Sequence, residues 1–356
     1  MTNHDRIITL LKEHQLDYDD WCYLIATYSP EDVALARRLA YETTTRKFGK
    51  NVFFRGIIEF SNICQNDCYY CGIRHSNKQI TRYRLSKGKI LECCSEGYRL
   101  GYRTFVLQSG ESRVKNADAI LDLIWSIRER FPDCAITLSV GECEKDVYRA
   151  MKQAGADRYL LRHETADKSH YEMLHPEDMS FEHRMQCLYD LKELGFQTGC
   201  GMMVGTPFQS VGALVKDMEF LQSFQPEMVG IGPFLPQAET PFSHYPAGDQ
   251  TLTLYLLSLT RLLLPNTMLP ATTALGSVAE DGRIQGVLSG CNVVMPNLSP
   301  KNIRKEFCLY DNKVGLRCNA EESLQLLKKQ MASVGRGLMV GRGDHINFVK
   351  SENPYD

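Results

Sequence analysis

Three cysteines on one short stretch are the residues of this sequence with the clearest chemistry. Cys64, Cys68 and Cys71 are separated by three residues and then two, directly after an apolar run. Three thiolates on one loop can hold three irons of a cubane 4Fe-4S cluster and leave the fourth iron open. A structural zinc ion needs four ligands, and His75 is the nearby residue that would complete such a set. The spacing favours a cluster, with a zinc-binding or merely cysteine-rich loop as the alternative.

A second set of polar residues recurs where apolar runs end. These residues include Gln108, Ser109, Gly110, Glu111, Ser139, Glu142, Arg162, His163, Glu164, Thr272, Thr273 and Asn297. In a barrel of parallel strands the site is built at the carboxyl ends of the strands. Glycines at such places also serve as plain turn residues. Carboxylates and arginines that recur at the same end of several strands nevertheless indicate an enzyme site.

The elements that position these residues alternate between strands and helices. The predicted strands are Val52 to Phe60, Thr104 to Gln108, Ala135 to Val140, Arg158 to Arg162, Gln197 to Val204, Met228 to Pro233, Leu269 to Thr273 and Cys291 to Met295. Amphipathic helical patterns fall between them. Eight such units predict an α/β fold, specifically a full (β/α)8 TIM barrel, with a six-unit partial barrel as the alternative.

Helical patterns flank the barrel region at both ends. Residues 1–48 predict a short helical N-terminal extension. Residues 49–356 predict the barrel with a C-terminal cap, whose helix runs from Glu321 to Val334. The glycine-rich tail from Gly335 to Phe348 is interpreted as a surface loop, since no strand precedes it in the order that a phosphate-binding loop requires.

The composition excludes several classes of function. The chain has 356 residues and a net charge of -2, which offers no basic footprint for nucleic acid. No apolar run approaches the roughly 18 residues of a membrane-spanning helix, and the amphipathic N-terminal pattern is not that of a signal peptide. Thirteen cysteines spread over predicted strands and helices indicate a reducing, cytoplasmic setting.

The cysteine loop, with Tyr70 just before its last cysteine, resembles the radical S-adenosylmethionine (radical SAM) superfamily. The resemblance implies one 4Fe-4S cluster on Cys64, Cys68 and Cys71, with S-adenosylmethionine (SAM) on the open iron. Cleavage of SAM on such a cluster needs an electron from an external donor.

Groups that suit each part of SAM stand at the strand ends. Glu111, with the backbone of Ser109 and Gly110, suits the amino group and resembles the superfamily's GGE element with a serine in place of the first glycine. An arginine suits the carboxylate, and a carboxylate suits the ribose hydroxyls. Arg162 or Arg184 is the candidate for the carboxylate of SAM, and Glu164 is the candidate for the ribose. Tyr70, with Met228 and Ile231, is the candidate contact for the adenine. Arg184 could equally form a surface ion pair, and Met228 could be ordinary core.

Six longer segments indicate one family within the radical SAM superfamily. They are IIEFSNICQNDCYYCGIR, VLQSGE, GADRYLLRHETA, MVGIGPFLP, LPATTALG and NVVMPNLSP. Taken in this order they resemble the HydE family, the radical SAM maturases of FeFe-hydrogenases. The RHETA and GIGPF segments favour that family over methylornithine synthase and biotin synthase. Cys134 and Cys200 keep open the alternative of a biotin synthase-like enzyme with a second, sulfur-donating cluster.

Resemblance to the HydE family implies a substrate deep in the barrel. That substrate is a cysteine-bound Fe(CO)2CN complex from the companion maturase HydG, which a 5′-deoxyadenosyl radical helps convert into the diiron precursor assembled on HydF. The residues at positions expected to line its cavity are Arg55, Gln108, Thr137, Thr272, Thr273 and Met295. A methylornithine synthase-like amino-acid mutase and a non-catalytic carrier of an iron-sulfur cluster are the remaining alternatives.

The chain departs from the family pattern at two places. Some HydE proteins carry a second cluster on a CX7CX2C motif near the carboxyl end, whereas here Cys308 and Cys318 are separated by nine residues. We therefore expect no second 4Fe-4S cluster. Phe307 stands where an aromatic hydroxyl is expected at the cavity floor, and Tyr310 is the candidate substitute.

Overall fold

Strands and helices alternate along most of the chain, as the apolar pattern predicts. The computed structural model describes residues 1–112, 118–316 and 318–348. Its strands are β1 (Asn51–Phe54), β2 (Gly56–Ser61), β3 (Thr104–Ser109), β4 (Ala135–Ser139), β5 (Arg158–Leu160), β6 (Gln197–Cys200), β7 (Met203–Val204), β8 (Met228–Val229), β9 (Gly232–Pro233), β10 (Val293–Val294) and β11 (Gly337–Met339). Its helices are α1 (Asn3–Glu13), α2 (Tyr18–Ala26), α3 (Pro30–Phe48), α4 (Lys87–Arg99), α5 (Asp118–Arg130), α6 (Lys145–Gln153), α7 (Lys168–Leu174), α8 (Phe181–Glu193), α9 (Val211–Phe224), α10 (Gln250–Leu263), α11 (Thr273–Val278), α12 (Gly282–Leu288) and α13 (Ala320–Ser333), with a short 3-10 helix at Lys301–Glu306.

The first three helices begin directly after polar capping residues. Thr2, Asp17 and Ser29 each accept a hydrogen bond from a backbone N–H in the first turn of α1, α2 and α3. The apolar face of α1 buries Ile7 and Leu10, and α3 packs against α10. This helical prefix therefore joins the layer of helices around the sheet.

The central sheet is built of parallel strands. β2, β3, β4, β5, β6 and β8 are neighbours in that order, and every pairing among them is parallel. β1 pairs in parallel with β10 and β11, and β7 pairs in parallel with β9. Parallel neighbours need crossover connections, which helices such as α4 between β2 and β3 supply. The predicted α/β class with a parallel sheet is confirmed.

Single parallel bridges continue from both edges of the six-stranded sheet. The bridged pairs are Met228 with Met268, Pro270 with Val293, and Ile57 with Asn297. The predicted strand from Leu269 to Thr273 is otherwise wrong. Pro270 has no N–H to donate to a ladder, and Thr273 already begins α11.

Three other predicted strands are each divided in two. The prediction from Val52 to Phe60 becomes β1 and β2, which belong to different sheets. The other two are interrupted at the same level of the sheet. The prediction from Gln197 to Val204 becomes β6 and β7, and the prediction from Met228 to Pro233 becomes β8 and β9. Gly201 and Gly230 lie at these breaks, where a Cβ on Gly201 would stand 2.1 Å from the carbonyl oxygen of Gly230. The backbones of these two segments approach too closely there for a side chain, and regular strand pairing stops.

The segment from Gly341 to His345 crosses the amino ends of the strands. The fully buried Arg158 donates to Oδ1 of Asp344 at 2.6 Å, and Gln197 donates to the same oxygen at 2.7 Å. Thr104 donates to the carbonyl oxygen of residue 342 at 2.7 Å. These three partners are the first residues of β5, β6 and β3. The interpretation of the tail as a surface loop holds for exposed residues such as Val340 and Ile346. It is wrong for Gly337–Met339, which forms β11, and for Gly341 to His345, which the buried strand starts supply with polar partners.

Candidate active site

The three predicted cluster ligands lie on the loop that follows β2. Cys64, Cys68 and Cys71 are partly exposed and form no disulfide. Arg82 fixes this loop, since its guanidinium donates to the carbonyl oxygens of Asn62 at 2.6 Å and Ile73 at 2.8 Å. The loop therefore holds the three side chains in place through its backbone.

Without a metal, these cysteines are thiols. Burial, together with the neighbouring Cys64, raises the pKa of Cys71 to about 12. Burial also raises the pKa of Cys68 well above its ordinary value. Iron ions would supply the positive charge that stabilises thiolates. Within the described residues, the three sulfurs do not all lie within 4.8 Å of one another, as the ligands of a single metal ion would. Their spread suits a multi-iron cluster better than one zinc ion, and the residues present fit the group.

The turn after β3 packs directly on the cysteine loop. A Cβ on Gly110 would stand 2.5 Å from the carbonyl oxygen of Ile63 and 2.7 Å from Cβ of Cys64. Ser109 donates from its hydroxyl to the carbonyl oxygen of Gly110 at 2.8 Å. A glycine is therefore required at this position, and it brings the following residue, Glu111, to the edge of the cysteine loop.

Two carboxylates and an arginine meet at neighbouring strand ends. Oε2 of Glu111 accepts from the backbone N–H of Glu142 at 2.9 Å. Arg184 of α8 donates through Nε to Oε1 of Glu142 and lies 4.0 Å from Oε2 of Glu111. Burial opposes the charge of Arg184, but Glu142, Tyr171 and Glu111 raise its pKa well above the usual range. Arg184 is a permanent cation between two acidic side chains.

A cavity of about 390 Å³ opens beside these groups. Its walls include Gln65 and Asn66 of the cysteine loop, and also Glu111, Glu142 and His183. Cavities of this size accommodate small ligands and cofactors. The cavity connects the cysteine loop with the acidic strand ends.

The backbone at Glu164 is held in a left-handed conformation. Its φ is 66°, which is uncommon for a residue with a side chain. Its N–H donates to the carbonyl oxygen of Gly201 at 3.0 Å, and its own carbonyl accepts from Met203 at 3.2 Å. Its carboxylate accepts from Arg162 at 2.5 Å. Strain of this kind concentrates at functional sites.

A fully buried pair supports the turn at Glu164 from behind. Nε2 of His163 lies 3.2 Å from Oδ1 of Asp217 on α9, and its Nδ1 accepts from the N–H of Gly201 at 3.2 Å. Oδ1 of Asp217 also accepts from the N–H of Ala166 at 2.5 Å. The pair therefore anchors residues on both sides of Glu164.

A histidine that sequence reasoning missed orients Tyr70. The Tyr70 hydroxyl lies 3.0 Å from Nε2 of His175, whose Nδ1 lies 2.8 Å from the carbonyl oxygen of Tyr171. Burial lowers the pKa of His175 to about 3. A neutral ring that donates from Nδ1 to the carbonyl accepts a hydrogen bond from the Tyr70 hydroxyl at Nε2. No motif or spacing marks His175 in the sequence.

The three residues predicted to contact adenine do not come together. Tyr70, Met228 and Ile231 pack in three separate apolar clusters. Met228 is the first residue of β8, at the opposite end from the cysteine loop, and its sulfur accepts from Arg55 at 2.8 Å. The assignment of Met228 to adenine is therefore wrong, because the strand begins rather than ends there. Ile231 is fully buried in the main core.

Three polar atoms among the predicted cavity residues are buried without a hydrogen-bond partner in the described part of the chain. They are Nε of Arg55, Oγ1 of Thr137 and Oγ1 of Thr272. Burial, followed by the nearby Arg158, lowers the pKa of Arg55 well below its usual range. A buried polar group without a partner costs about 1–3 kcal/mol. These atoms are available to a polar ligand.

The other predicted cavity residues lie nearer the carboxyl ends of the strands. Gln108, Thr273 and Met295 are all partly exposed. Thr273 and Met295 border a small cavity that also touches Glu59 and Lys313. The predicted cavity residues therefore lie at both ends of the strands. Arg55 lies near the amino ends, and Gln108, Thr273 and Met295 lie nearer the carboxyl ends, which form the mouth of the cavity.

The segment that contains Phe307 and Tyr310 covers this mouth. Lys313 donates to Glu59 and, at 2.8 Å, to the carbonyl oxygen of Phe307. Burial raises the pKa of Tyr310 to about 12. Gly72 of the cysteine loop donates to the carbonyl oxygen of residue 309 at 2.9 Å. The segment therefore connects the cysteine loop with β2.

Most of these residues fall in a region that matches a known family. Residues 58–221 match the model of the radical SAM superfamily. The chain is 43% identical to the FeFe-hydrogenase maturase subunit HydE of Thermotoga maritima over 299 residues, which cover 84% of this chain and 85% of that protein. The chain belongs to the HydE family. HydE membership makes it a radical SAM enzyme with a role in hydrogenase maturation, whose cofactors are a 4Fe-4S cluster and SAM.

Other relatives of this HydE-family chain are more distant. The 3-methylornithine synthase of Methanosarcina acetivorans is 27% identical over 80% of each chain. A crystal structure of methylornithine synthase has a TM-score of 0.80 at 22% identity and covers 94% of this chain and 97% of that one. HydG, a maturase of FeFe-hydrogenase, has a TM-score of 0.80 at 16% identity and covers 96% of this chain and 77% of that one. These likenesses show the shared fold.

Among the described residues, no helix combines the length and apolarity needed to span a bilayer.

Proposed function

We propose that the protein cleaves SAM reductively and acts on a cysteine-bound Fe(CO)2CN precursor of the diiron site of FeFe-hydrogenase. The observation that carries the proposal is the set of unpartnered buried donors on Arg55, Thr137 and Thr272 in a HydE-family chain. An iron complex with cyanide and a cysteine carboxylate is small and anionic. Such a ligand needs donors and a site closed to water.

The cysteine loop would hold the cluster. Cys64, Cys68 and Cys71 would supply three thiolates, and Glu111 lies beside the loop. When bound, the cluster would supply the one electron needed for reductive cleavage of SAM to a 5′-deoxyadenosyl radical. The chain's own part is to hold SAM in one orientation and to keep water and thiols away from the product.

The amino-acid end of SAM fits the acidic strand ends. Glu111 would accept from the ammonium group, with the backbone of Ser109 and Gly110 beside it. Arg184 is favoured over Arg162 for the carboxylate, because Arg184 lies 4.0 Å from Glu111 and the two charges of one amino acid need adjacent partners. Arg162 is instead engaged with the carboxylate of Glu164.

The nucleoside end of SAM has two candidate contacts. Glu164 would accept from the ribose hydroxyls, and its strained backbone indicates a position kept for a purpose other than stability. Tyr70 would face the adenine, in the orientation that His175 imposes through its hydroxyl. Ile231 remains a proposed contact only through the backbone between β8 and β9.

A closed ring of strands would isolate the substrate. We propose that eight parallel segments complete the barrel, and the single bridges at Met268, Pro270 and Asn297 support this closure. Gln108, Thr273 and Met295 would then line the upper cavity, with Arg55 at its floor. The tail that crosses the amino ends would close the other side.

The cellular setting follows from the same chemistry. All 13 cysteines are free, which suits a reducing compartment such as the cytoplasm. HydG would supply the substrate, HydF would receive the product, and an external protein would donate the electron.

The test is substrate-dependent turnover by the anaerobically reconstituted enzyme. Wild-type protein, SAM and a one-electron reductant should form 5′-deoxyadenosine faster in the presence of the synthetic cysteine-bound Fe(CO)2CN complex. The carbonyl and cyanide bands in the infrared spectrum should shift at the same time. Arg55→Met should retain slow, substrate-independent cleavage of SAM. The increase in rate caused by the substrate should fall by a factor of about ten or more, as loss of a charged hydrogen bond predicts.

The competing enzymes are distinguished in the same assay. Stimulation by a free amino acid, with a rearranged product, would support a methylornithine synthase-like mutase instead. Stimulation by the sulfur-free precursor of biotin would support sulfur insertion. A cluster carrier would show no cleavage under any condition.

A further inference from the structure

A second group of metal-ligating side chains lies outside the cysteine loop. Glu142, His183 and Cys187 each place a ligand atom within 4.8 Å of the other two. His183 and Cys187 are four residues apart on α8, so their side chains lie on one face of that helix. Glu142 reaches them from the turn that follows β4. Two elements, α8 and the turn after β4, therefore meet around one point.

The two distances from His183 to the other ligand groups match those around a tetrahedral zinc ion. With Zn–N, Zn–O and Zn–S bonds of about 2.0–2.3 Å, the ligand atoms around the ion stand roughly 3.4–3.6 Å apart. Nε2 of His183 lies 3.4 Å from Oε2 of Glu142 and 3.7 Å from Sγ of Cys187. Both distances to His183 lie within a few tenths of an ångström of these values, and Sγ of Cys187 lies within 4.8 Å of the Glu142 carboxylate.

Neighbouring groups orient two of the ligands. Arg184 donates through Nε to Oε1 of Glu142, which leaves Oε2 on the side of His183. Sγ of Cys187 lies 3.7 Å from the carbonyl oxygen of Cys143, whose N–H donates to the Tyr148 hydroxyl at 2.9 Å. Metal ligands are commonly fixed by such outer partners.

Solvent reaches the group from one side. The side chain of His183 is 45% exposed, whereas Cys187 is buried. The cavity of about 390 Å³ beside the cysteine loop is lined by both Glu142 and His183. An ion can therefore enter from the cavity, and a water molecule from the cavity can complete its coordination.

We propose that Glu142, His183 and Cys187 form a binding site for one thiophilic divalent cation, with Zn2+ as the ion that suits it best. One sulfur, one imidazole nitrogen and one carboxylate oxygen favour zinc over magnesium or calcium, which take all-oxygen sites. The site is separate from the three cysteines of the loop. It does not depend on the substrate of the enzyme.

The test measures zinc on the reconstituted holoenzyme. The protein is incubated with Zn2+, separated from free ion by gel filtration, and analysed for zinc and iron by mass spectrometry and for zinc coordination by X-ray absorption. We expect one zinc per chain beside about four irons, with a single sulfur in its coordination shell. His183→Ala should weaken zinc binding by at least the roughly 100-fold that loss of an outer partner can cost, and should leave iron content unchanged.

Two further variants keep the test decisive. Cys187→Ala should lose zinc as His183→Ala does, whereas Cys291→Ala, which removes an equally buried thiol elsewhere, should retain it. Wild-type protein without bound zinc would overturn the proposal. Equal zinc binding by His183→Ala and Cys291→Ala, or a coordination shell of three sulfurs, would also overturn it, since the ion would then sit on other cysteines.

Discussion

A buried ion pair ties the segment around Phe307 to β2, and its disruption has a calculable cost. The side chains of Lys313 and Glu59 are 6% and 4% exposed, and Lys313 donates to Glu59 and to the carbonyl oxygen of Phe307. Asn297 donates to the other carboxylate oxygen of Glu59 at 2.8 Å. Lys313→Met keeps most of the stem and removes the charge. The Glu59 carboxylate is then buried with one neutral donor.

Removal of one partner from a buried pair costs about 3–5 kcal/mol. For 356 residues, an unfolding entropy of about 2.1 cal/mol/K per residue converts this cost into a fall in Tm of about 4–7 °C. The double variant Glu59→Gln, Lys313→Met has no buried charge and retains an acceptor for Asn297. Its Tm should therefore lie within about 2 °C of the wild type.

The assay is thermal unfolding of the reconstituted protein under anaerobic conditions, followed by circular dichroism at one scan rate. Lys305→Met is the matched control, because Lys305 is 75% exposed and its pair with Glu306 spans 3.6 Å. An exposed pair contributes about 0–1 kcal/mol, so this variant should melt with the wild type. A Tm of Lys313→Met equal to that of the wild type would contradict this prediction, and so would a double variant whose Tm is as low as that of the single variant.

Three further predictions concern the cluster, SAM and pH. Cys68→Ala should lose most of the roughly four irons per chain while Cys291→Ala retains them; an unchanged iron content in Cys68→Ala would place the cluster elsewhere. Glu164→Gly suits the left-handed backbone and removes the carboxylate, so KM for SAM should rise about 10–100-fold at unchanged Tm; an unchanged KM would remove Glu164 from the SAM site. Burial lowers the pKa of His175 from 6.5 to about 3 in the folded chain, so the unfolded chain alone gains this proton as pH falls below 6.5. The wild type should therefore lose up to about 1.4 kcal/mol of stability per pH unit between pH 6.5 and 3 relative to His175→Phe, and parallel pH profiles in chemical unfolding would contradict a buried neutral His175.

Much of the fold could be predicted because apolar periodicity reports local burial. The alternation of strands and helices after residue 50 predicts the α/β class correctly. The ends of the strands could not be predicted where Gly201 meets Gly230, because that close approach depends on two segments that are distant in sequence. The position of the tail was missed for the same reason, because its partner Arg158 lies almost two hundred residues earlier.

The candidate site divides along similar lines. The cysteine spacing and Gly110 are local features, and the structure places them in contact. Met228 was misplaced because a residue at the start of a strand lies at the opposite end of the sheet from one at its close. His175 reaches Tyr70 across more than one hundred residues, and no short motif reports such a contact.

The most direct measurement of the central claim is hydrogenase activity in an anaerobic host that carries an FeFe-hydrogenase and lacks its own HydE. The wild-type chain should restore hydrogen production, and Cys68→Ala, expressed at the same level, should not. A wild-type chain that is folded, carries its cluster and still fails to restore activity would contradict the assignment to hydrogenase maturation.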